Sequence, residues 1–276
     1  MAPKTLIALS FLLCQQAFGQ DFEIFGVTVG KTKIKEAEKI VQKAIPVFYT
    51  NQNIGATNFM MALNQGYPNK SPAGFWAKSR SYDWEYQKKN KTSKMYEEIG
   101  VGAGYDGLVY SITRHVDYYH KLNDVIHPHA MLLSDLLDSF TKKYGSPTID
   151  LRSEGIADGA GGWTLAWVFE KDGTRSSDDW SSLSKKCPVM DSPDQAVVNS
   201  GYYKCDKIMM KLGYWKTDDV TISSQQKNPV LVMKYTVTAF HGPKMWETYK
   251  FLADIEGNKQ NKAMEERKKH NVKPDL

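Results

Sequence analysis

Long apolar runs are scarce in this chain of 276 residues. The main one, Leu6–Cys14, is far shorter than the roughly 20 residues that a membrane-spanning helix needs. Lys4 precedes this run, and the small residues Ala17 and Gly19 follow it with the spacing that signal peptidase prefers. We therefore predict a signal peptide over residues 1–19 and an exported protein, periplasmic or secreted, with no membrane span.

Cysteine is nearly absent, with three residues in the whole chain. Removal of the signal peptide leaves Cys187 and Cys205, and an exported chain with a single pair tends to oxidise it. No Cys-x-x-Cys spacing supports a two-cysteine metal or redox site instead. We predict a structural disulfide, worth on the order of 3 kcal/mol, and no free thiol for nucleophilic catalysis.

Motifs for nucleotide binding are incomplete. The stretch Phe25–Thr32 reads FGVTVGKT and ends like a phosphate-binding loop, but Gly26 and Gly30 enclose three residues where that loop has four. We predict a glycine turn here, followed by a helix that Thr32 caps. The stretch Gly100–Gly104 precedes a strand, whereas a dinucleotide fingerprint opens a helix, so we predict a flexible turn there too.

Concentrated positive charge is also missing, because the net charge of +5 is spread along the chain. A dedicated nucleic-acid binder would gather its lysines and arginines on one face. From these absences we expect no cofactor, no nucleotide and no nucleic acid as partner.

Signatures of hydrolases are weak. No Gly-x-Ser-x-Gly elbow occurs, and the Ser-x-x-Lys matches at Ser139–Lys142 and Ser182–Lys185 lack the partner motifs of penicillin-recognising enzymes. The carboxylates are numerous, but their spacing selects no glycosidase pair.

Histidines gather in one part of the chain, between residues 115 and 129. A zinc site needs three or four converging ligands with support from neighbouring groups. The metal candidates are His115, His127 and His129, with Asp117 or Asp124 beside them. Because strand alternation separates His115 from His120, the default interpretation is polar surface and loop histidines, and a metal-dependent hydrolase is the alternative function.

Apolar periodicity predicts an α+β fold. Helical spacing marks segments 34–45, 132–144 and 245–255, while alternation marks strands over 108–118, 163–169 and 229–240. Alternation with one apolar face favours antiparallel sheets with helices packed on one face over a doubly wound parallel sheet.

The helix–strand unit recurs along the chain. We predict one α+β domain over 20–256, with a structural duplication whose halves lie near 20–125 and 126–256. The highly charged tail, 257–276, is predicted to be a frayed helix or disordered.

Aromatic residues are dense in the segment 74–87, GFWAKSRSYDWEYQ. Exposed rings bury area at little entropic cost, so this segment is a candidate binding surface. The ordinary alternative is a strand, since its large residues alternate with small or polar ones. The candidate surface residues are Trp76, Tyr82, Trp84 and Tyr86.

Several short segments together resemble exported bacterial proteins: the Gly-x-x-x-Gly turn and helix, the strand VYSITR at 109–114, the helix end KYGSP at 143–147 and two separated cysteines. Their order is similar to the helix-on-antiparallel-sheet modules of the beta-lactamase-inhibitor-protein type. This resemblance implies a fold style, an exported location and action by binding a protein or envelope component rather than by catalysis. A secreted factor directed at a host or a competitor is a variant of the same expectation.

Overall fold

A computed structural model of the chain describes residues 21–44, 48–49, 74–78, 96–120, 125–126, 130–151, 163–187, 205–217, 221–223, 226–227 and 229–269. The strands are β1 (Glu23–Ile24), β2 (Val27–Thr28), β3 (Phe48–Tyr49), β4 (Gly74–Lys78), β5 (Tyr96–Ala103), β6 (Val109–Asp117), β7 (Tyr119–His120), β8 (Val125–Ile126), β9 (Ile149–Asp150), β10 (Trp163–Phe169), β11 (Ile208–Lys216), β12 (Thr221–Ser223), β13 (Gln226–Lys227) and β14 (Val232–His241). The described helices are α1 (Ile34–Ala44), α2 (Leu133–Tyr144), α3 (Trp180–Lys186) and α4 (Gly242–Lys269).

One antiparallel sheet of eight strands dominates the structure, in the order β3-β4-β5-β6-β14-β11-β10-β9. A helix followed by four sheet strands occurs twice: α1 with β3 to β6, and α2 with β9, β10, β11 and β14. The last strands of the two units, β6 and β14, pair with each other at the centre of the sheet. The predicted α+β class with an antiparallel sheet is confirmed, and the two units have the same order of elements.

The larger apolar cluster lies on the face of the sheet that α1 and α2 cover, and the β1–β2 hairpin joins it. The predicted stripe of α2 is confirmed, with Leu136 and Tyr144 buried and Gly145 ending the helix at a φ of 76°. The indole N–H of Trp167 in β10 donates to the carbonyl oxygen of Gly145 at 2.8 Å. This bond fixes the end of α2 on the sheet.

A smaller apolar cluster lies on the opposite face, where α3 and the first turns of α4 pack. Its centre is the disulfide between Cys187 and Cys205, whose Cα atoms are 4.6 Å apart and whose side chains are both buried. Gly242, the first residue of α4, lies so close that a Cβ there would be 2.7 Å from the sulfur of Cys205. The disulfide therefore fixes α3, β11 and the start of α4 relative to one another.

The segment FGVTVGKT forms a hairpin turn and a tight bend. Phe25 and Gly26 both have positive φ angles, 55° and 79°, which is the type I′ turn that matches strand twist. The predicted cap at Thr32 is wrong, because α1 begins at Ile34 and the Thr32 hydroxyl instead accepts from the Thr28 N–H at 2.9 Å. This local bond holds the bend before the helix.

The central strand pair departs from simple alternation. The alternation predicted over 108–118 would place Tyr110 on the same face as Ile112, but Tyr110 packs in the smaller cluster on the opposite face. Ser111 pairs with Gly102 and Val109 with Ala103, so Tyr110 is the extra residue of a bulge in β6. The turn predicted at Gly100–Gly104 is also wrong, since Gly100 and Gly102 pair within β5.

Helix α4 is longer than the predicted segment 245–255 and continues to Lys269 through side chains that are mostly exposed. In the part of the chain that the structure describes, no helix combines the length and apolar character needed to cross a membrane.

Candidate functional site

Two surfaces of the described structure carry polar groups in ordered positions. The first, which we call the polar face, is the side of β5, β6, β14 and β11 turned away from the larger apolar cluster. Its residues alternate with the buried ones along each strand. They are Glu98, Gly100, Gly102, Thr113, His115, Asp117, Lys211, Gly213, Trp215, Lys234, Thr236 and Thr238.

Cross-strand contacts order the polar face. The hydroxyls of Thr113 and Thr238 hydrogen-bond at 3.1 Å, and the Thr236 hydroxyl bonds to Nδ1 of His115 at 2.9 Å. These side chains are short and half-buried, so this part of the surface is flat and its rotamers are fixed by neighbours.

His115 is the predicted metal candidate that falls within the described residues. Burial lowers its pKa below the ordinary value of 6.5, while the carboxylates of Asp117 and Glu98 oppose that shift. His127 and His129 lie outside the described residues. Among the residues that are described, no three of the His, Cys, Asp or Glu side chains converge to hold a metal ion.

Of the four aromatic candidates, Trp76 falls within the described residues. Trp76 lies in β4, where its backbone is in register with Gly100, the neighbour of Thr113. Tyr82, Trp84 and Tyr86 lie outside the described residues. The predicted surface is therefore located only by the backbone position of Trp76.

The second surface is a cleft of about 240 Å³ between the bend after β2, the turn after β10 and the end of β14. We call it the His241 cleft. Its lining includes Asp21, Gly30, Lys31, Lys171, Asp172 and His241.

His241 sits at the junction of β14 and α4 and caps the helix. Its Nδ1 accepts from the backbone N–H of Lys244, the third residue of α4, at 3.2 Å. A side-chain acceptor at this position satisfies one of the free N–H groups of the first helical turn. Because Nδ1 is the acceptor, the proton of the neutral ring is on Nε2.

Gly30 makes room for the imidazole of His241. Its φ is 78°, and a Cβ built on it would lie 2.8 Å from Nε2 of His241 and closer still to Cδ2. The Gly30 N–H donates to the carbonyl oxygen of Val109 at 2.7 Å, which holds the bend against β6. A residue without a side chain is required here for both conformation and space.

The charges around the cleft are partly compensated. Lys31 and Asp21 form an exposed ion pair at 2.7 Å. Asp172 accepts from the N–H and the hydroxyl of Thr174, and these bonds lower its pKa. Within the described residues, no hydrogen bond or ion pair engages Lys171.

The Gly-Lys-Thr end of FGVTVGKT resembles the end of a phosphate-binding loop. Gly30 and Lys31 line this cleft, but the segment does not form such a loop. The backbone N–H groups of Lys31 and Thr32 both donate to the carbonyl oxygen of Thr28. These amides therefore form the bend itself rather than a cradle for phosphate.

His241 was missed by the sequence analysis. One signal was available in the sequence. His241 follows a predicted strand and precedes Gly-Pro and a predicted helix, which is where a residue that caps the helix is expected. Its partner Gly30 is 211 positions earlier in the chain by residue number, and that pairing has no sequence signature.

Comparison with known proteins gives no match to this chain among protein-family models, curated proteins or solved structures. The resemblance to exported helix-on-sheet proteins therefore stays a prediction.

Replacing Gly30 with alanine should destabilise the protein by at least about 2 kcal/mol, because a left-handed alanine is strained and its Cβ collides with His241. The matched change Lys31→Ala should cost less than about 1 kcal/mol, since an exposed ion pair contributes little. Urea unfolding of the mature protein measures both. Equal losses for the two variants would show that the Gly30 contact is unimportant.

Stability should fall as the pH drops below about 6.5, in part through His241. Burial holds the pKa of His241 below its ordinary value of 6.5, and a hydrogen bond to its own backbone opposes that shift. The charges of Lys244 and Lys171 lower the pKa further, and Glu247 raises it. A lowered pKa in the folded state stabilises the protein above 6.5, and this stabilisation is lost as pH falls through the folded-state value.

Because asparagine also caps helices and does not titrate, His241→Asn should reduce this pH dependence while preserving the helix. The measurement is the unfolding free energy between pH 5 and 8. His115, whose pKa is also lowered by burial, should supply the pH dependence that remains. An unchanged slope in His241→Asn would contradict the assignment.

Proposed function

We propose that this chain is an exported binding protein that docks a protein partner of the cell envelope on its polar face. The observation that supports this most directly is the ordered set of short polar side chains on the central strands. The predicted resemblance to proteins that act by binding favours the same function.

The side chains of the polar face are already fixed in position, and this rigidity favours binding. An ordinary solvated sheet face carries long side chains that lose rotamer freedom when a partner docks. Here Thr113 and Thr238 are already held by each other, and His115 is held by Thr236. Docking on such a surface costs less ordering entropy, which favours affinity.

The shape and chemistry of the face favour a protein as the occupant. Four strands about 4.8 Å apart and about six residues long cover roughly 300 Å², the size of the centre of a protein–protein interface. Small-molecule sites are concave, whereas Gly100 and Gly213 on this face carry no side chains, and the residues around them present hydroxyls and an imidazole. Trp215 lies at its border, with the ammonium of Lys234 4.0 Å from the centre of the indole ring.

Export is part of the same proposal. The predicted signal peptide supports it, and the buried Cys187–Cys205 disulfide is suited to an oxidising compartment.

A photo-reactive amino acid at position 238, at the centre of the polar face, should cross-link a specific envelope protein in cells that express this chain. The same amino acid at position 181, on the exposed side of α3, serves as the control. Mass spectrometry identifies the captured partner, which is then purified.

Against that purified partner, Thr238→Arg should weaken binding at least about tenfold, because a long charged side chain at an interface centre blocks close contact. Ser181→Arg should bind as the unchanged protein does. Identical cross-links at the two positions, or undiminished binding by a folded Thr238→Arg variant, would rule out the polar face as the docking site.

A further inference from the structure

The His241 cleft lies apart from the polar face and presents hydrogen-bond donors that no side chain in the described part of the chain engages. We propose that it is a binding site for a small oxyanion, the carboxylate or phosphate group of a ligand that fits a space of about 240 Å³. The site does not depend on the proposed function of the polar face.

The first donor is Nε2 of His241. Its direction is fixed because Nδ1 is bound to the N–H of Lys244 at 3.2 Å. The ring cannot turn over without breaking the helix cap, and the missing side chain at Gly30 lets the backbone come close to Nε2 on one side. Nε2 therefore belongs to the wall of the cleft, and among the described residues no side chain accepts a hydrogen bond from it.

The second donor is the ammonium group of Lys171. It lies close enough to His241 to lower the pKa of that ring, and no described carboxylate pairs with it. The other charges of the cleft are already engaged: Lys31 with Asp21, and Asp172 with its own turn at Thr174. A cation and an N–H donor that line one cleft, and that no described side chain engages, are complementary to an oxyanion.

Apolar residues form the rest of the wall. Phe22, Val29 and Phe169 are almost fully buried and border the cleft from the larger cluster. Their presence limits access of water on that side, which strengthens hydrogen bonds to a bound anion. A ligand with a short apolar part beside its anionic group fits this lining.

The direct test is a titration of the mature protein with sodium acetate or inorganic phosphate at neutral pH and constant ionic strength, followed by NMR of the histidine ring nitrogens. We expect a saturable shift of Nε2 in His241 and a smaller effect on His115, which lies on the polar face. Acetate and phosphate in separate titrations show which oxyanion the site prefers.

Three variants make the test specific. Lys171→Met should weaken the apparent affinity about threefold to tenfold, since an exposed cation contributes modestly. Lys185→Met, an equally exposed lysine on α3, should leave it unchanged. A bound anion should also raise the melting temperature of the unchanged protein. His241→Asn keeps an acceptor that caps α4, so this variant should stay folded but should lose that rise.

A shift that grows linearly with either anion and never saturates would overturn the proposal. The same conclusion would follow if Lys171→Met and Lys185→Met had equal effects, or if a folded His241→Asn variant were still stabilised by the anion. Failure of the polar face to bind a protein would leave these readouts unaffected, so the two proposals are distinguishable.

Discussion

The contact between the backbone of Gly30 and the imidazole of His241 joins the main parts of this structure. Gly30 is bound to Val109 of β6, while His241 ends β14 and caps α4. The next residue, Gly242, lies against Cys205 of the disulfide. A side chain at position 30 would displace the ring, and the displaced ring would disturb the helix cap and the disulfide region together.

The two faces of the sheet differ in chemistry: one packs against the helices of the larger apolar cluster, and the other carries the polar face. Apolar residues on one face bury α1 and α2, and this burial supplies most of the driving force for folding. Among the described residues of the opposite face, the buried apolar side chains cluster around the disulfide, where α3 and α4 cover them. The polar face occupies the centre of that side, and the larger apolar cluster packs on the other side of the same strands. The pairing of β6 with β14 makes this surface continuous across both units.

The sequence predicted correctly those features that depend on residues close together in the chain. The apolar stripe of α2 and its end at Gly145 follow from helical spacing and glycine chemistry, and both are confirmed. Tyr110 was misplaced because it is the extra residue of a bulge in β6, where Ser111 pairs with Gly102 and Val109 with Ala103. Strict alternation does not hold across this bulge, and Tyr110 lies on the other face. Thr32 was misplaced because its hydroxyl bonds to Thr28 rather than to the helix. His241 and Gly30 meet only through the tertiary fold, so the cleft had no signal in the sequence.

The most direct test of this account is the protonation state of His241, measured by the nitrogen chemical shifts of its ring over a pH titration. The account predicts a neutral ring at neutral pH with the proton on Nε2 and a pKa below 6.5. A neutral ring with its proton on Nδ1 would contradict the cap, because Nδ1 could not then accept from Lys244. A pKa above 6.5 would contradict the burial of the ring, which favours its neutral form.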